Sequence, residues 1–109
     1  MSATPLHTAV CEPRRSTTTR APLLILLHGY GSDEADLLGL ADHLDPRFRL
    51  VSARAPLPLD MGGHAWFPIE FTVAGLAVDY EAGERAMDQL GRLLTQLQEV
   101  SGNDAGDTF

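Results

Sequence analysis

The residues best suited to chemistry are His28-Gly29-Tyr30-Gly31-Ser32-Asp33, directly after the apolar run Leu23-Leu24-Ile25-Leu26-Leu27. A continuously apolar run of this length reads as a strand buried on both faces of a parallel sheet. A strand that breaks into glycines and then enters acidic, helix-starting residues aims backbone N–H groups at one spot. The dipole of the following helix adds to their positive field. Such a turn can hold an anion, or an oxyanion that exists only in a transition state. Other groupings are weaker. Ser32, His43 and Asp33 or Asp36 have the residue types of a triad. Ser32 is better read as a helix cap, and His43 would lie three turns along that helix, about 15 Å away. His64, beside Gly62-Gly63, has no second ligand at metal-site spacing, so no metal is expected. Asp33, Glu34 and Asp36 favour a helix start electrostatically, which accounts for them.

The elements that must position this turn follow from hydrophobic period and breakers. Leu6 to Val10 can form an edge strand, and Glu12 to Arg20, with Pro13 and a Ser/Thr cluster, reads as a turn. Ser32 or Asp33 can cap a helix through Leu44, with Leu37, Leu38, Ala41 and Leu44 on one side. Asp45-Pro46 ends it. Phe48 to Ala53 is a second strand, so strand–helix–strand predicts a parallel pair. Arg54 to Ala77 reads as one long loop, rich in proline and glycine and carrying Trp66, Phe67 and Phe71. From Asp79 to Val100 the period is helical, with Ala86, Met87, Leu90, Leu93, Leu94 and Leu97 as a core stripe. Ser101 to Asp107 is a polar link from that helix.

Composition narrows the function classes. The 109 residues carry a net charge of −7, which disfavours nucleic acid and anionic membranes as partners. All eight basic residues are arginine, which removes a phosphate-loop lysine and a lysine Schiff base. The single Cys11 argues against a disulfide scaffold. Ala21 to Leu27 falls far short of the roughly 20 residues of a membrane span. Arg14-Arg15 is separated from that run by Ser and Thr residues and does not make a secretion signal, so the expected location is the cytoplasm.

Strand, His28-Gly29-Tyr30-Gly31, acidic helix, second strand, Arg54-Ala55-Pro56 and Ala65-Trp66-Phe67 together resemble the N-terminal half of α/β-hydrolases of the phospholipase/carboxylesterase family, which includes acyl-protein thioesterases. The resemblance runs from about Leu23 to Val100. It implies a partial α/β-hydrolase fold: a mostly parallel sheet flanked by helices, with 1–20 as an N-terminal edge strand and turn and 21–109 as half of the hydrolase domain. It also implies cleavage of a small acyl ester or thioester through a serine acyl-enzyme, without a cofactor. The Tyr30 backbone N–H falls at the oxyanion-hole position, with His28, Gly29 and Gly31 supporting the loop, and Trp66 and Phe67 falls near the substrate pocket. No Gly-x-Ser-x-Gly occurs in the sequence. The resemblance therefore places nucleophile, triad acid and triad histidine beyond Phe109, and this chain is expected to be an inactive N-terminal fragment. Without the next strand, the Leu23–Leu27 edge would be open to self-association. Two other readings stand beside this one: a non-catalytic module binding an anion or a partner, and one half of a split hydrolase.

Overall fold

The computed structural model describes residues 6–16 and 20–109. Its centre is a three-stranded sheet of β1 (Thr8–Cys11), β2 (Leu23–Leu27) and β3 (Arg49–Ala53), in the order β1-β3-β2. β2 and β3 run parallel, with Leu23 opposite Arg49 and Leu27 opposite Ala53. β1 runs antiparallel on the other side of β3, with Thr8 opposite Ala53. The strand–crossover–strand unit is as the sequence predicts. The sheet is mixed, however, and not mostly parallel, because its N-terminal strand is laid on antiparallel. β3 is central and deeply buried: Leu50, Val51, Ser52 and Ala53 are all inaccessible to solvent or nearly so.

The crossover departs from expectation. Residues 34–36 form a turn, and Leu37–His43 is a 3-10 helix instead of an α-helix beginning at Ser32 or Asp33. The cause is local. The Asp33 carboxylate accepts the Ala35 N–H at 2.9 Å, and such a side-chain turn competes with the helical ladder. Asp36, at the helix start, makes no side-chain cap. Ser32 lies too far ahead of the helix start at Leu37 for its hydroxyl to cap it. The other end is sealed by Arg14, whose guanidinium binds the carbonyls of Ala41 and Leu44 and the Asp42 carboxylate. The turn expected over 12–20 lies partly outside the described residues, at 17–19.

The long segment after β3 is not one loop. It folds into two hairpins, β4 (Leu57–Pro58) with β5 (His64–Ala65), and β6 (Ile69–Thr72) with β7 (Gly75–Val78). Helix α1 (Tyr80–Ser101) then begins at Asp79, whose carboxylate accepts the Ala82 N–H at 3.1 Å. It ends at Gly102, which takes the left-handed φ of 77° that a helix stop of this kind requires. Ala82, Ala86 and Leu93 are buried, and Leu90 and Leu97 pack with Leu93 against Leu6, Ala53 and Trp66. Met87, expected in the stripe, is 72% exposed; one residue on from Ala86, it is turned off the buried face.

The outer edge of β2 is partly covered. Leu23 donates to the Asp107 carbonyl, Phe109 donates back to Leu23, and Ile25 donates to Phe109, at 2.8–2.9 Å. Thr108 is thereby bridged in parallel to Leu23. The edge predicted to be open is open only past Ile25.

Candidate functional site

β2 delivers His28 to the end of the sheet, where the chain must leave the strand. The imidazole is buried, with 3% exposure, and both ring nitrogens are used. The Ala55 N–H donates to Nε2 at 3.0 Å, so Nε2 is an acceptor and the hydrogen sits on Nδ1. Nδ1 in turn donates to the Gly29 carbonyl at 2.8 Å. The His28 carbonyl accepts the indole N–H of Trp66 at 2.8 Å, and the two rings lie 5.6 Å apart, tilted by 32°. A histidine engaged in this way is a strut. It has no free lone pair with which to take a proton from a nucleophile.

Gly29 to Ser32 form a tight turn, closed by the Ser32 N–H on the Gly29 carbonyl at 3.1 Å. Gly31, third in the turn, has φ +84°, the position and sign that make glycine the favoured residue in a type II turn. The turn is then pinned to the β4–β5 hairpin: Gly31 donates to the His64 carbonyl at 2.9 Å, and His64 donates to Ser32 at 2.8 Å. The approach is close enough that a Cβ on Gly63 would sit 2.1 Å from the Gly31 carbonyl oxygen, and Gly63 itself has φ +75°. Only glycine fits there.

These bonds leave the Tyr30 N–H without an acceptor among the described residues. Its peptide is nonetheless fixed. The Gly29 carbonyl on the same peptide receives two donors, and in a trans peptide the N–H points opposite to that carbonyl. The Tyr30 side chain is exposed. The arrangement is thus a pre-aimed, unpaired backbone donor at the end of a parallel strand, the geometry that can receive an anionic oxygen.

Electrostatics tie the back of the turn to Arg54-Ala55-Pro56. Arg54 Nε lies 2.6 Å from Glu34 Oε2, although the N–H is not aimed along that line. Burial raises the Glu34 pKa, but the Arg54 guanidinium, the residue's own backbone N–H and the Arg54 charge outweigh it and hold the carboxyl below its ordinary value. Further off, Arg47 clasps Asp45 and lowers it to about 2.

The structure therefore gathers His28, Gly29, Tyr30, Gly31 and Trp66 in one place. Phe67 stands apart, against Gly83 of α1, in an open apolar groove of about 340 Å³ that it shares with Trp66, Val78, Tyr80, Met87 and Leu90. His43 lies in the last turn of the 3-10 helix, exposed, and does not join Ser32. His64 contributes its backbone. Among the described residues no three His, Cys, Asp or Glu side chains are grouped to hold a metal. Sequence reasoning missed Gly63 and the role of the Ala55 N–H. The adjacent glycines at 62 and 63 are the one signal that could have pointed to a close backbone approach.

No family model and no curated protein matches the sequence. Solved structures do match. Esterase PE8 aligns with a TM-score of 0.75 and 27% identity, over 96% of this chain and 50% of that one. A carboxylesterase from Mesorhizobium loti aligns with a TM-score of 0.73 and 21% identity, over 95% and 49%. YahD, determined with malic acid, aligns with a TM-score of 0.69 and 23% identity, over 94% and 48%. The chain spans about half the length of each solved structure it matches. Across nearly its whole length, the chain is similar to the N-terminal half of phospholipase/carboxylesterase-type α/β-hydrolases.

Proposed function

We propose that these 109 residues are the oxyanion-loop half of a carboxylic ester or thioester hydrolase, with the Tyr30 N–H as one donor to the oxyanion. The observation that carries this reading is the unpaired Tyr30 N–H on a peptide whose carbonyl is held by His28 Nδ1 and by Ser32. The likeness to esterases over half their length supports it. In such a hydrolase a serine hydroxyl attacks the acyl carbonyl, whose oxygen becomes negative. A donor already aimed at that oxygen needs no reorganisation when the charge appears, and removing one donor of this kind costs about 100-fold to 1000-fold in rate. The turn moves no proton; His28 is committed to Ala55 and Gly29. The serine in its elbow, the acid and the second histidine come from elsewhere, since no Gly-x-Ser-x-Gly occurs within the 109 residues. The apolar groove beside Trp66 and Phe67 would take part of the acyl group.

Two experiments test this. The 109-residue chain by itself should neither hydrolyse a p-nitrophenyl ester above background nor be labelled by a fluorophosphonate; clear turnover with labelling would overturn the reading. Combined with a chain that supplies the elbow and triad, it should yield esterase activity. There Tyr30→Pro, which suits the second position of a type II turn, removes the donor together with the exposed side chain, and Tyr30→Ala, which keeps the N–H, is its reference. kcat should fall about 100-fold or more while KM and folding hold.

A further inference from the structure

We propose that Trp66 is a positioning residue for the oxyanion turn, acting through its indole N–H and not only through its ring. The proposal rests on the oxyanion reading above. The Trp66 N–H holds the His28 carbonyl at 2.8 Å. That carbonyl and the Gly29 N–H belong to one trans peptide, so fixing the first fixes the second on the opposite side. The Gly29 N–H has no acceptor among the described residues, and the space where a side chain would stand on Gly29 is empty. Trp66 thus does for the Gly29 N–H what His28 does for that of Tyr30. Two consecutive peptides are each held by the carbonyl, and each leaves its N–H unpaired. The residues involved are 38 apart in sequence, so the lock closes only when the β4–β5 hairpin is in place. The same indole also lines the apolar groove, so one side chain belongs both to the groove and to the first peptide of the turn.

A purely structural role would belong to the ring, which packs against Leu6, Ala53 and Leu93. The two roles can be separated because Trp66 is the only tryptophan. Growth of a tryptophan auxotroph on β-(3-benzothienyl)alanine replaces the N–H by sulfur at this site alone and keeps the bicyclic ring. Amide exchange in the 109-residue chain should then accelerate about fivefold to tenfold at Gly31, Ser32 and Ala55, whose bonds hold the turn. The Gly29 amide resonance should move. Exchange at Val51 and Leu93 should stay unchanged. Trp66→Phe should give the same pattern at the turn together with a loss of overall stability from the smaller ring. Unchanged exchange at Gly31, Ser32 and Ala55 in the benzothienyl protein would overturn the proposal. These readouts involve neither ester nor anion. Unchanged turnover in Tyr30→Pro would therefore sink the oxyanion reading, and loss of exchange protection would still establish the lock.

Discussion

Two glycine-containing turns of this molecule have opposite characters. The Gly29–Ser32 turn is short and polar, and it is braced from three directions: by Ala55 and His28 behind it, by Trp66 beside it, and by Gly63 and His64 below it. The β6–β7 hairpin is longer and carries Phe71, Val73 and Leu76 near its tip, yet among the described residues its ladder pairs only within the hairpin. Phe71 is 86% exposed. The apolar turn is solvated, and the polar one is built into the fold. What separates them is not hydrophobicity but whether distant residues supply partners for the backbone. A backbone N–H can be left unpaired and still well aimed only where its neighbours are over-determined.

Four substitutions test that contrast, from the largest expected effect to the smallest. Gly63→Ala should cost about 3 kcal/mol, since a Cβ cannot occupy the same place as the Gly31 carbonyl and alanine resists the positive φ. Chemical denaturation reads the cost, and loss of the Gly31 and His64 amide protection locates it. His28→Ala should cost about 2 kcal/mol, because it leaves the buried Ala55 N–H without an acceptor and frees one side of the Gly29 carbonyl. The same denaturation series measures it, and a cost under 0.5 kcal/mol would mean the brace is ornamental.

Glu34→Gln should cost less than about 1 kcal/mol at neutral pH, as Arg54 is about a third exposed and solvent weakens the pair. Its pH dependence has a definite sign. The folded pKa of Glu34 lies below the ordinary 4.5, so its contribution is complete above that value and fades as pH falls through the lowered one. Wild type and Glu34→Gln should therefore converge in stability on acidification below pH 4.5, and a gap that widens there would contradict the assignment. Phe71→Ser at the hairpin tip should change stability by no more than about 0.5 kcal/mol. A cost matching that of Gly63→Ala would erase the contrast between the two turns.

The sequence made one of these turns legible and hid what holds it. Leu23–Leu27, Arg49–Ala53 and the long helix declare themselves through apolar runs and a 3.6-residue period. Two- to four-residue strands such as β4 to β7 carry too few positions for a period to show, so they read as one loop. The leucines of the 3-10 helix have α-helical spacing, which predicts an α-helix, while the competing Asp33 turn is a matter of one side-chain rotamer. His28 and Trp66 stood out by residue type, but their bond joins positions 38 apart, and nothing local to either residue announces it. The resemblance implies a mostly parallel sheet, and the single crossover accounts only for the parallel β2–β3 pair. The antiparallel pairing of β1 on β3, with Thr8 opposite Ala53, is a long-range contact that no local pattern announces.

The missing Cβ of Gly63 has a further meaning. The β4–β5 hairpin, closed by the Leu59 N–H on the Gly63 carbonyl and the Gly62 N–H on the Leu59 carbonyl, is a mould, and the Gly29–Ser32 turn is cast against it with less than one methyl group of clearance. The shape of the turn is therefore stored thirty residues away from it, in a stretch with no chemistry of its own. Anyone widening the Gly29–Ser32 turn would have to recut the mould before touching the turn.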